Sequence, residues 1–131
     1  MPVQDDGPIV QVTTATWWRR LAWTVHTSAL GEGGRPVGDA ADQRFTALAM
    51  VGEAGELANL VKKEWRRDWG DDPGDLDAQV RDECADVLIY LYLFARMRGI
   101  DLDAAAAVKM TRVARERYAD LPAVAQLLGR A

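Results

Sequence analysis

The chain has 131 residues and a mass of 14.5 kDa, which suits a single domain spanning 1–131 and is too short for two. Hydrophobic residues make up 49% and charged residues 27%, the composition of a globular protein with a packed core. The net charge of −4 argues against a nucleic-acid backbone as partner, and a single cysteine, Cys84, excludes both an internal disulfide framework and a Cys-based zinc site.

The opening Met1-Pro2-Val3-Gln4-Asp5-Asp6 lacks the basic-then-apolar order of a signal peptide. The longest strongly apolar run, 87–95, falls well short of the roughly 20 residues that a membrane span needs. The expectation is a cytoplasmic protein without a membrane partner.

Four helical segments follow in chain order, with no sustained alternation of a strand. The first covers about 12–30, with Trp17, Trp18, Leu21 and Val25 as apolar points, and ends at the glycine-rich loop 31–36. The second runs from about 39 to 69, with Gly52 or Gly55 as places where it would break. Asp71-Asp72-Pro73-Gly74 forms a turn, and Asp75 is a candidate cap for the third helix, which ends at Gly99. Asp101 caps a fourth helix reaching about 118. Short links between long amphipathic helices predict an all-α, antiparallel four-helix bundle-like fold. Its core covers about 12–118, with 1–9 and 119–131 as flexible ends.

Four acids do not suit that core. On the second helix Met50, Leu57, Leu60 and Val61 form an apolar stripe, with Glu53 inside it and Glu56 about 60° away at its edge. On the third, Val80, Val87, Leu91 and Phe94 form the stripe, with Glu83 inside it and Asp86 to one side. Acids three apart on a helix are neighbours, so two such pairs on facing helices gather four carboxylates. Burying them unpaired is costly. Basic side chains, protonation or a metal must compensate, and hard oxygen donors suit Mg²⁺ or Mn²⁺.

Gly52-Glu53-Ala54-Gly55-Glu56-Leu57, followed by Asp82-Glu83-Cys84-Ala85-Asp86-Val87-Leu88, resembles the MazG-like family of all-α nucleoside triphosphate pyrophosphohydrolases. Lys62-Lys63, Val87-Leu88-Ile89-Tyr90, Gly99-Ile100-Asp101 and Lys109 extend the likeness over about 40–118. The resemblance implies Glu53, Glu56, Glu83 and Asp86 as Mg²⁺ ligands. It also implies cleavage of a nucleoside triphosphate between its α and β phosphates, and a homodimer or homotetramer. Two positions depart from the family pattern: Gly52 stands where a further glutamate is frequent, and Val113 and Glu116 stand where asparagine and arginine are.

The chemistry such a site requires is in-line attack on the α phosphorus by a water whose pKa a bound metal lowers. The leaving pyrophosphate needs cations. On the second helix Lys63 and Arg67 share the side of Glu56, whereas Lys62 points nearly opposite Glu53 and Arg66 is turned away, so Lys63 and Arg67 are favoured. The resemblance adds Lys109, with Arg112 its neighbour three residues on.

Trp17, Trp18 and Trp23 suit a core or subunit interface better than a base-stacking wall. Tyr90 is a ligand-orienting candidate, but packing explains it as well. Cys84 reads as core, and His26, the single histidine, receives no role. Trp17, Trp18, Trp23, Tyr92 and Phe94 exceed what a monomer of this size would cover, which also favours self-association.

Two other classes compete with the hydrolase. A ferritin-like di-iron bundle needs histidines three after glutamates, and His26 does not follow one. A non-catalytic, self-associating helical module would hold its acids in salt bridges.

Overall fold

The computed structural model describes residues 8–129, with side chains from 17 on. The expectations for 1–7 and 130–131 lie outside the described residues. The described chain is helical: α1 (Pro8–Glu32), α2 (Ala40–Trp65) continued by a 3₁₀ turn (Arg66–Trp69), α3 (Asp77–Met97), α4 (Leu102–Arg117) and α5 (Pro122–Leu128). None of these helices is long and apolar enough to cross a membrane.

Two compact units divide the chain, the first ending at Met97 and the second starting at Arg98. The first holds α1, α2 and α3, with α2 packed extensively on α3 and α1 resting more lightly on α3. The second holds α4 and α5, which pack on each other.

Local chemistry explains the boundaries. Asp39 takes an extended conformation (φ −71°, ψ 177°) and its Oδ1 accepts the Asp42 N–H at 2.8 Å, satisfying a donor left free at the start of α2. α2 then passes Gly52 and Gly55 without a break. At the far end Gly70, at φ 93°, turns its N–H back to the carbonyls of Arg66 and Arg67, a conformation that disfavours any residue with a Cβ. Asp75 accepts the Asp77 N–H at 2.9 Å, so it closes a tight turn just before α3. Gly99, at φ 66°, sits just beyond the end of α3, as the glycine stop predicts. In the second unit Asp101 caps α4 through the Ala104 N–H at 3.0 Å. Part of the expected flexible tail is α5, begun by Pro122 in its first turn.

The apolar core of the described residues is small: Leu30, Leu60, Leu76, Leu93 and Ala95. Beside it Thr46 is fully buried, its hydroxyl donating to the Asp42 carbonyl at 2.8 Å. Two sequence readings are corrected here. Val61 is exposed, so the apolar stripe of α2 narrows to Met50, Leu57 and Leu60. Cys84 is exposed rather than core. It lies on the N-terminal half of α3 beside the exposed Ala85 and Leu88, where the helix is covered on one side; toward 89–95 the same helix is covered nearly all round.

Because Leu60 is 6% exposed at the contact of α2 with α3, Leu60→Ala removes transfer energy and leaves a cavity. It should destabilise the fold by about 2–5 kcal/mol, read from the urea midpoint, whereas Val61→Ala should change it by less than about 0.5 kcal/mol.

Candidate functional site

The packing of α2 on α3 brings carboxylates together. Glu53 from α2 and Glu83 from α3 are both half-buried. One oxygen each from Glu53, Glu83 and Asp86 lies within 4.8 Å of the others. Glu56, one turn beyond Glu53, is exposed and stands outside this group of three, close enough for its charge to act on Glu83.

Electrostatics show the crowding. The Glu83 carboxyl is pushed above the ordinary value of 4.5, first by burial, then by a hydrogen bond with the Glu53 carboxyl, and then by the charges of Glu56, Glu53 and Asp86. A hydrogen bond between two carboxyl groups requires a proton on one of them. The buried Glu83 Oε2 has no hydrogen-bond partner. Among the described residues no lysine or arginine forms an ion pair with any of the four acids, so the salt bridges that a non-catalytic module would use are not present there. A cluster of hard oxygen donors, one of them orphaned, and without a countercharge, fits a divalent cation of the Mg²⁺ or Mn²⁺ type.

The basic candidates are distributed differently from the wheel projection. Lys62, rather than Lys63 or Arg67, shares a shallow cavity on α2 with Glu56 and Asn59. Lys63 borders a separate hollow with Arg66, Asp71 and Asp72. Arg67 donates to the Gly74 carbonyl and pairs with Asp72 at 3.7 Å, which ties it to the turn after α2. The wheel treats each helix as free-standing, and this loop contact is invisible to it. Lys109 and Arg112 are exposed on α4, in the second unit.

A groove of about 460 Å³ runs between α1 and α3, with Asp86 on its wall beside Trp18, Leu21, Val25, His26 and Tyr90. Aromatic contacts set its shape. Trp18 meets Tyr92 edge-on with centroids 5.3 Å apart. Arg96 lies 4.4 Å from the centre of the Trp23 ring and donates to the Tyr92 hydroxyl at 2.9 Å.

Sequence reasoning missed His26. Its Nε2 sits 2.9 Å from Asp42 Oδ1 and 3.0 Å from Oδ2. The side chains are 12% and 2% exposed, and Asp42 Oδ2 also accepts the Gly38 N–H at 2.8 Å. The pair borders a second cavity, of about 430 Å³, that holds Arg35, Asp39 and Phe45. The two residues are 16 apart in the chain and on different helices, so no local pattern marks them. The one signal was an aspartate just inside the start of an amphipathic helix.

A raised Glu83 pKa means that the folded state holds its proton more tightly than the unfolded state does. Between the ordinary value of 4.5 and the raised one, stability therefore falls as pH rises. In the presence of a chelator, thermal melts should show the protein losing stability through that window toward neutral pH. Glu83→Gln should flatten the profile and melt higher than the wild type at neutral pH.

Residues 42–118 match the family model described as MazG nucleotide pyrophosphohydrolase domain. Among curated proteins, dCTP pyrophosphatase 1 of Homo sapiens is 40% identical over 79 residues, covering 57% of this chain and 45% of that protein. The Mus musculus protein of the same name is 40% identical over 82 residues and that of Bos taurus 38% over 81, with the same coverage of 57% and 45%. The match spans less than half the length of these relatives. No solved structure matches the chain. All four acids fall inside the matched residues, and the chain belongs to the MazG nucleotide pyrophosphohydrolase domain family.

Proposed function

We propose that the chain is a divalent-metal-dependent hydrolase that cleaves a nucleoside triphosphate to its monophosphate and pyrophosphate. The observation that carries this reading is the convergence of Glu53, Glu83 and Asp86 oxygens within 4.8 Å, with Glu83 Oε2 left without a partner. Those three acids hold Mg²⁺ or Mn²⁺, and Glu56 completes the set from the next turn of α2. When bound there, the metal neutralises phosphate charge and lowers the pKa of a water. The substrate class follows from the family match and from the relatives, whose name says that they act on dCTP.

The chain's own residues do the positioning. The groove beside Asp86 seats the base, with Trp18 and Tyr90 as flat, mainly apolar walls. Asp86 belongs both to that groove and to the acid cluster, so a base in the groove brings its phosphates toward the acids. Attack is in line on the α phosphorus, and one of the acids takes the proton. Cations then receive the pyrophosphate. Lys62 and Lys63 are the nearest candidates in sequence to Glu56, and Arg67 is less available because of its hold on Gly74.

The same reading includes a homodimer or homotetramer. Phe45, Leu48 and Val51, 60%, 72% and 63% exposed, recur every three residues along the uncovered side of α2. A soluble chain rarely leaves such a strip in water, and a second copy covering it completes the bundle that α1, α2 and α3 begin. A reducing compartment such as the cytoplasm suits the exposed, unpaired Cys84.

Pyrophosphate release from a panel of nucleoside triphosphates, with and without Mg²⁺, tests the activity. Glu53→Gln should lower turnover by at least about two orders of magnitude, several kcal/mol of barrier, with the helical circular dichroism unchanged. Retained turnover in that variant would refute the metal role. Mg²⁺ should raise the melting temperature of the wild type and leave that of Glu53→Gln nearly still. For the assembly, light scattering should give a multiple of 14.5 kDa, and Leu48→Asp should shift it toward one chain; a wild type already monomeric at micromolar concentration sinks that part.

A further inference from the structure

We infer that His26, held by Asp42, is a base-reading residue that accepts a hydrogen bond from an exocyclic amino group of the nucleotide base. The inference rests on the nucleotide reading of the groove above. His26 lines that groove together with Asp86 and Tyr90. Its Nε2 lies 2.9 Å from Oδ1 and 3.0 Å from Oδ2 of Asp42, and the hydrogen bond goes to Oδ2, since Oδ1 has no hydrogen-bond partner. A carboxylate only accepts, so Nε2 carries the proton and Nδ1 of the neutral ring is left as an acceptor. Among the described residues no hydrogen bond reaches Nδ1. The neighbouring groove wall is otherwise mainly apolar, formed by Trp18, Leu21, Val25 and Ile89, so few other groups there can answer a polar edge of the base. An amino group on C4 of a pyrimidine or C6 of a purine donates to such an atom, whereas a keto oxygen at the same place faces it lone pair to lone pair.

Asp42 sets which nitrogen is the acceptor. Its Oδ2 is fixed by the Gly38 N–H at 2.8 Å, which any replacement at that position must also accept. The same Oδ2 accepts from Nε2–H. In Asp42→Asn the amide oxygen therefore takes that place and goes on accepting from Nε2–H, so Nδ1 stays the acceptor.

The chain has one histidine, so ¹⁵N imidazole spectra report His26 without ambiguity. At pH 8 the wild type and Asp42→Asn should both show the Nε2–H tautomer. Adding dCMP should shift wild-type Nδ1, and dUMP should not; dAMP and dIMP repeat the comparison for purines. With triphosphates and Mg²⁺, the ratio of kcat/KM for dCTP over dUTP, or for dATP over dITP, should fall at least about tenfold in His26→Leu and be kept in Asp42→Asn. Either base pair responding supports the inference and tells pyrimidine from purine. A doubly protonated ring at pH 8, an Nδ1 resonance that no amino nucleotide moves, or a ratio unchanged in His26→Leu overturns it. Should Asp42→Asn fail to fold, the wild-type spectra and His26→Leu decide alone. Nucleotide-induced shifts at Nδ1 without pyrophosphate release would defeat the hydrolase reading and leave this one standing; release with an inert Nδ1 would do the reverse.

Discussion

Three carboxyl groups drawn together where α2 meets α3, with no lysine or arginine paired to them among the described residues, are the constraint on which the rest turns. Like charges at that spacing repel, and partial burial of Glu83 weakens the solvent that would screen them. The crowding raises the Glu83 pKa, so its carboxyl keeps a proton to higher pH than an isolated one does. Its buried Oε2 has no hydrogen-bond partner. A divalent cation answers several oxygens at once, which is why the arrangement costs stability when empty and suits a charged substrate when filled.

The elements legible in the sequence were those set by local chemistry. Asp39, Gly70, Gly99 and Asp101 act within a few residues of where they stand, and helix ends followed from them. The i, i+3 spacing of Glu53 with Glu56 and of Glu83 with Asp86 is likewise local; the helix packing brings Glu53, Glu83 and Asp86 together and leaves Glu56 outside the three. What escaped depends on partners distant in the chain. Arg67 turns away to the Gly74 carbonyl, His26 finds Asp42 across two helices, and Cys84 is bare because neighbours cover only one side of the start of α3. A helical wheel knows the angle of a side chain and nothing of where the neighbouring helix ends.

The aromatic residues show the same division. Their number suggested surface to be covered by another chain. Trp18, Trp23 and Tyr92 instead join α1 to α3 through ring contacts and the Arg96 guanidinium. Arg19 also lies over both Trp18 and Tyr92, at 5.7 and 5.9 Å from their centres. Other large apolar side chains stay exposed, among them Trp17, Trp65 and Trp69 and the α2 residues Phe45, Leu48 and Val51.

α3 links the two halves of the site. Its first turns carry Glu83 and Asp86 against α2, and its later turns carry Tyr90 and Leu93 against α1. A slip of one residue along this helix rotates every side chain by about 100° and would take the acids from α2 and Tyr90 from α1 together. The short Asx turn at Asp75 and the left-handed Gly99 fix its two ends, while the buried Leu93 and Ala95 fix its rotation. On the far wall His26 is tied by Asp42 to the start of α2, the same helix that carries Glu53. Groove and acid cluster thus share α3, and Asp86 belongs to both, so in the proposed reading the distance from a base to its phosphates is set by helix packing rather than by any loop.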